Sequence, residues 1–530
     1  MFARLRGASH RCSWINRQRR GTDPPYISRV RLDFLHLPNG PGGSALALVP
    51  IAGLTIWGLL LRAWDVGTQS LWVDEATSVA AALGILDHGF PQLASGELYL
   101  RAIPHTYLVA AAMFVAGAEE WVVRLPSVLF GAASIPLAFV LVRRFVGYPG
   151  ALTVAALIAF IDIEIAWSRQ ARMYQQLQFL TLATVVSYFR YLMVPSRARA
   201  AVLFLLMLFS VATHFLALIT VAAALMHFGA VRVLALASGK DLSRHLREIA
   251  AGVSATLILI LLFEEVTGQL ISVFSRREQW LPGYLDYYRQ LMPVAYFGSI
   301  VGYILALRSS RSAQISFIVL LLVVAFYVVG FHGRLVAYRY TYFLVPFLFL
   351  GPFVGITALW EGFRLPRHSV VIPWLALLIL AFWTSPFSLV PHAFYYLDST
   401  SPQPDYKSAY RYVEERWAEG DVLMDTWPTL AQFYLGRSPE YWPAISLDGR
   451  SPPTCRLANG DREAYGYALC VDEATEVTSI IAASSGWLIT DDLGWQRLNP
   501  GFRGVVETSA ERHHVPSQGD PAILMHVFRW

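Results

Sequence analysis

Apolar residues fall in runs of roughly twenty along the first three quarters of the chain, separated by short polar connections. That is the pattern of helices crossing a ~30 Å hydrocarbon core. The first run spans 44–64. Others fall at 122–143, 149–167, 174–193, 200–213, 215–235, 248–266, 291–307, 313–331, 340–360 and 369–387. The spacing predicts about eleven membrane-spanning helices, with 200–213 short enough to be a broken one. The stretch "IPHTYLVAAAMFVAGA" (103–118) is shorter, opens on Pro104 and His105 and follows an irregular loop. It is expected along the outer surface and not through the bilayer. Beyond 388 the runs stop and polar and apolar residues mix. Residues 405–417 carry helical periodicity, while 420–425, 486–492 and 522–528 read as strands. The fold class expected is an α-helical polytopic membrane protein with a small extracytoplasmic α/β C-terminal domain. Its parts are a basic cytoplasmic arm (1–43), a transmembrane domain (44–387) whose first outer loop is 65–121, and the outer domain (388–530).

Composition agrees: 55% of the 530 residues are hydrophobic and 15% charged, against about 25% charged in soluble domains. The net charge of +5 sits in blocks between apolar runs, so it implies no nucleic-acid partner. Keeping 103–118 outside places Arg143 and Arg144, Arg197 and Arg199, Lys240, Arg244 and Arg247, Arg308 and Arg311, and Arg364 and Arg367 on one side. By the positive-inside rule that side is cytoplasmic. The N-terminus is then inside, the C-terminus outside, and the protein is expected in the plasma (inner) membrane. The arm has no signal-peptide pattern. Cys455 and Cys470 share the outer domain, where a disulfide is permitted.

The same map sends Asp74, Glu75, Arg101, His105, Arg169, Arg172, Tyr174, His214, Arg276, Arg277, Arg289, Arg334 and Arg339 outward. Outward arginines run against the usual bias and need a reason. In "WSRQARMYQQLQF" (167–179) Arg169 and Arg172 are three apart and are expected to share one helical face. Their guanidinium forks suit phosphoryl oxygens; snorkelling to lipid headgroups is the simpler alternative. Asp162 and Glu164 are functional candidates as carboxylates within a span, with pairing to Arg169 or Arg172 the simpler alternative, and His214 reads as an interfacial residue before a catalytic one. The connection 267–290 suits a cover over a site or an amphipathic interfacial helix. A transporter or lipid flippase also uses many spans, but it is expected to show repeated halves and charges at midplane. A non-catalytic scaffold or sensor is a further alternative.

Several segments together resemble one family. They are the Asp74–Glu75 pair in "TQSLWVDEATSVA" (68–80), His105 to Tyr107, "EEWVVRLPSVLFG" (119–131), "SRQARMYQQLQFL" (168–180), "THF" (213–215) and "YRYTYFLVP" (338–346). In order and spacing they are similar to the GT-C glycosyltransferases, in the branch of protein O-mannosyltransferases and aminoarabinose transferases. The resemblance covers about 44–390. It departs at "IPHTYL", where the family reads His-Pro-Pro-Leu-Tyr, and at Tyr174 and Gln175, near which several relatives carry an Asp. It implies transfer of a sugar from a polyprenyl-phosphate donor to an extracytoplasmic hydroxyl on a glycan, lipid or protein. The reaction is expected to be an inverting displacement, with Asp74 as general base and Glu75 as its orienter or a second contact. Arg169, Arg172 and Arg339 are the expected phosphate contacts, and His105, Tyr107, Tyr174 and His214 further substrate contacts. No cofactor is assigned, and a divalent metal stays open.

Overall fold

The computed structural model describes residues 48–237, 281–309, 312–332, 338–395, 404–445, 461–516 and 524–530. Helices α1 (Val49–Ala63), α2 (Val73–His88) and α3 (Ile103–Ala116) open the chain, and α4 (Glu120–Phe160) follows. At Gly147 the backbone of α4 turns to φ 81°, a conformation open to glycine. The long helix is thus two runs joined at a kink, which falls just after Arg143 and Arg144, where the basic pair predicts a turn. The expected span 149–167 is interrupted: α4 ends at Phe160, Ile161 bridges to Phe387, and a separate α5 (Asp162–Ser168) begins. Next come α6 (Tyr174–Met193), α7 (Arg197–Thr213) and α8 (Ala217–Ala237). The 200–213 run, expected to be broken, is a continuous helix whose start is capped by the Ser196 hydroxyl accepting from the Arg199 N–H at 3.3 Å.

After α9 (Leu281–Leu291) come α10 (Pro293–Ala306) and α11 (Ala313–His332). A 3-10 turn (Tyr338–Leu344) then leads into α12 (Val345–Gly362), and α13 (Val371–Thr384) closes the bundle. Helices α10 and α12 touch backbone to backbone: a Cβ on Gly302 would lie 2.1 Å from the Gly351 carbonyl oxygen, and one on Gly355 2.4 Å from the Gly302 Cα. Small residues at i and i+4 permit such an approach, which suits helix association in lipid. The expected span 248–266, most of 267–290, and Arg276, Arg277, Arg334 and Cys455 lie outside the described residues. Cys470 is disulfide-bonded.

The C-terminal part is an α/β domain. Its order is α14 (Tyr406–Glu414), β1 (Val422–Asp425), α15 (Pro428–Leu435), β2 (Tyr441–Pro443), β3 (Leu469–Val471), α16 (Ala474–Ala483) and β4 (Gly486–Asp491). Then follow α17 (Asp492–Arg497), α18 (Pro500–Ser509), β5 (Glu511–His513) and β6 (Met525–Arg529). The strands form one sheet in the order β3-β2-β1-β4-β6-β5, parallel across the first four and antiparallel at β6 and β5. The domain does not hang free. Leu71, Ala76, Val79 and Ala82 of the α2 region share one buried core with Tyr406, Ala409, Tyr410, Leu430 and Ala431 of α14 and α15.

Candidate active site

Helix α2 begins where its first turn is held from three sides. Asp74 and Glu75 sit in that turn, where negative charge complements the exposed N–H groups. Glu75 is fully buried. Its Oε1 accepts from Arg124 Nε at 2.9 Å and the Ala171 N–H at 2.7 Å, and its Oε2 from Arg124 Nη2 and the Trp72 N–H, both at 2.9 Å. Four bonds fill a carboxylate's acceptor capacity. Glu75 is therefore spent within the protein, and the expectation of a second substrate contact is corrected. Arg124 spends its remaining N–H groups on the carbonyls of Val66, Gln69 and Ser70, at 2.7–2.8 Å. One buried ion pair thus fixes both the loop before α2 and the direction of α2.

Its neighbour faces the other way. The Asp74 side chain keeps 31% of its surface, with Oδ2 3.3 Å from Arg339 Nη2 and 3.8 Å from Arg172 Nη2. Arg172 Nη1 donates to the Asp74 carbonyl and to Ser78 Oγ, both at 2.8 Å, and lies 3.5 Å from the Tyr99 hydroxyl. The Arg339 guanidinium stacks on the Trp72 ring, 5.1 Å from its centroid. Behind them His214 stacks on Phe215 at 4.8 Å and meets Tyr174 and Tyr340. Burial, followed by the fields of Arg172, Arg339 and Arg101, pushes His214 down to about 3, so it is a neutral wall at physiological pH. Among the described residues, Asp74 thus faces two guanidiniums with one carboxylate, and such a place attracts an anion.

No family model and no curated protein matches the sequence. Solved structures do match in shape. Against ArnT from Cupriavidus metallidurans bound to undecaprenyl phosphate the TM-score is 0.60 at 14% identity, over 92% of this chain and 98% of that one. Against the Archaeoglobus fulgidus oligosaccharyltransferase in the apo form it is 0.54 at 11% identity, over 84% and 69%. The fold is the GT-C glycosyltransferase fold. The same archaeal enzyme tethered to an acceptor peptide matches at 0.50 and 11% identity, over 84% and 69%.

Within this GT-C fold the other expected site residues scatter. Arg169 does not join Arg172. Residues 169–173 are irregular, so the two share no helical face, and Arg169 is buried under the end of α1. There it donates to the carbonyls of Arg62, Trp64, Asp65 and Ala393 at 2.5–3.2 Å and stacks on Tyr395. It supplies the partners that a helix C-terminus lacks, which corrects its assignment to a phosphate. Tyr107 also points away, its hydroxyl donating to the Gly89 carbonyl at 2.9 Å. His105 is buried against Gln176, with Nδ1 3.2 Å from Oε1. Burial first and Arg172 second push it down to about 4, so it faces the arginine from behind. Tyr174 packs between Trp167 and His214 as part of the floor.

Asp162 accepts from Ser388 Oγ at 2.6 Å and Glu164 from Gln178 and Tyr342, so neither pairs with Arg169 or Arg172 as expected. Arg289 pairs with Asp286 on the surface. Among the described residues no group of three or more His, Cys, Asp or Glu side chains is arranged to hold a metal ion. Sequence reasoning missed Arg124, Ser78 and Tyr99. Arg124 left a signal, an arginine five residues into α4, since a charge at the start of an apolar span requires a partner.

Proposed function

We propose that the protein is a membrane glycosyltransferase that moves a sugar from a polyprenyl-phosphate donor to an acceptor hydroxyl at the outer membrane face. One observation carries this: an accessible carboxylate, Asp74, lies within 3.8 Å of Arg172 and Arg339, whose other neighbours among the described residues include Ser78, the Tyr99 hydroxyl and the Trp72 and Tyr340 rings. A protein of the same fold has been solved with undecaprenyl phosphate bound, and the outward placement follows the basic clusters.

In this reading the donor phosphate competes with Asp74 for Arg172 and Arg339. As the guanidiniums turn to the phosphate, the oxygens of Asp74 are released toward the acceptor. The acceptor oxygen attacks the anomeric carbon as the bond from that carbon to the phosphate oxygen breaks. The hydroxyl proton passes to Asp74, and the phosphate departs with its new negative charge held by the two arginines. One base and one cationic seat suffice, unlike the paired carboxylates of glycoside hydrolysis.

Asp74→Asn keeps the shape of the residue and removes its proton affinity. Transfer from a radiolabelled lipid-phosphate sugar should fall at least ~10²-fold, the lower range for a general base. Binding of the lipid phosphate should persist or tighten, because its competitor for the arginines has lost its charge. Near-normal turnover by this variant would defeat the assignment.

A further inference from the structure

Beneath the site lies a set of polar side chains that the proposed chemistry does not use. Glu164 of α5, Gln175 and Gln178 of α6 and Tyr342 of the 3-10 turn are all fully buried. The Tyr342 hydroxyl lies 2.8 Å from Glu164 Oε2 and 2.5 Å from Gln175 Oε1. Gln178 Nε2 donates to Glu164 Oε1 at 2.9 Å, and Gln175 Nε2 to Gln178 Oε1 at 2.8 Å. Ser168 links the ring of bonds to Arg62 Nε of α1 at 3.0 Å. Polar groups in such surroundings are costly unless they are mutually satisfied, so their use here asks for a reason beyond filling space.

Their placement supplies one. Tyr342 lies three residues after Arg339 in a seven-residue 3-10 helix. In that geometry residues i and i+3 lie one above the other, and the backbone bonds are weaker than in an α-helix. A turn of this kind cannot hold its own orientation well, yet it carries a guanidinium that has to meet a phosphate. The loop bearing Arg172 joins α5 to α6, the two helices that supply Glu164, Gln175 and Gln178. The Trp167 ring completes the joint, 5.5 Å from Tyr342 and 5.0 Å from Tyr174.

We infer that Tyr342 and Glu164 are positioning residues that pin the Arg339-bearing turn to the Arg172-bearing loop and so fix the spacing of the two guanidiniums, which rests on the reading of those arginines as phosphate contacts. The test uses the purified full-length protein and undecaprenyl phosphate as the probe. Tyr342→Phe removes one hydroxyl and should weaken probe binding about tenfold, the worth of a buried hydrogen bond to a carboxylate. In an Arg339→Ala background the same change should cost nothing more, since a positioning residue acts through the group it positions. Backbone amide exchange over 338–344 should quicken in Tyr342→Phe.

Glu164→Leu should copy Tyr342→Phe, and Glu164→Gln, which keeps an oxygen for Tyr342, should restore binding. Unchanged exchange, or penalties that add in the double variant, overturns the inference. Were Arg339→Ala to bind the probe normally while exchange still quickened in Tyr342→Phe, the phosphate role of Arg339 would fall and the positioning role with it. The bonds would then remain a brace for the turn alone.

Discussion

Arg169 and Arg172 stand three residues apart and do different work. Arg172 reaches Asp74 and Ser78, whereas Arg169 closes the end of α1 through the carbonyls of Arg62, Trp64 and Asp65 and ties it to that of Ala393. Arg172→Ala should therefore weaken binding of the lipid phosphate, by about tenfold or more for a lost charge-assisted contact, with little change in melting temperature. Arg169→Ala should do the reverse, lowering the melting temperature while the folded fraction binds normally. A thermal melt paired with a binding isotherm separates them. Glu75→Gln belongs with the second kind: it strips the charge from a buried pair with Arg124, and breaking such a pair costs about 3–5 kcal/mol. Loss of folded protein on a denaturant or thermal titration is the expected result, ahead of any specific loss of turnover.

Among the elements, the loop before α2 depends on a part of the chain far away. The Leu71 N–H donates to the Tyr434 hydroxyl at 2.8 Å, Ser70 Oγ contacts Asp405 and the Lys407 N–H, and Lys407 Nζ pairs with Glu120 at 2.8 Å. Together with the shared core of α2, α14 and α15, these make the C-terminal domain one wall of the site's support. Tyr434→Phe leaves one backbone N–H without its partner and should destabilise by about 1–3 kcal/mol, read as a lower melting temperature with the sheet intact. Removal of 404–530 should yield no folded site at all.

These contacts also show what sequence could and could not tell. The helical runs and the strands at 420–425, 486–492 and 522–528 were visible because periodicity is local. They overlie β1, β4 and β6, while β2, β3 and β5, three residues each, are too short to leave a pattern. Asp74 and Arg339, which the charge map puts on the same side, do meet in the fold. Arg169 departs from its expected place because the backbone is irregular where the spacing predicts a helical face. No local pattern could pair Glu75 with Arg124, 49 residues on.

For the molecule as a whole, stability should depend on pH through the C-terminal domain. Asp425, at the end of β1, is held up at about 7 against its ordinary 3.8, chiefly by burial and further by Asp491, although Tyr410 and the Trp427 N–H donate to it. The folded state therefore keeps a proton that the unfolded chain has already released between those values. The resulting stability is full below about pH 4 and is lost as pH rises toward 7. Melting temperatures measured across that window should fall with rising pH, and Asp425→Asn should flatten the slope. A slope of the same size in the variant would place the titration elsewhere.

The bond from Leu71 to Tyr434 spans 363 residues, and that separation has a consequence in time. A ribosome adding about 5–20 residues per second takes roughly 20–70 s to travel between the two. Throughout that interval α1 and α2 exist without the wall they lean on, and the carboxylate of Asp74 has no fixed address. On the proposed function, the newborn chain is therefore inert until residues 404–530 have been made and have docked. On the same reading, a message cut short anywhere before that point should yield a product that consumes no donor.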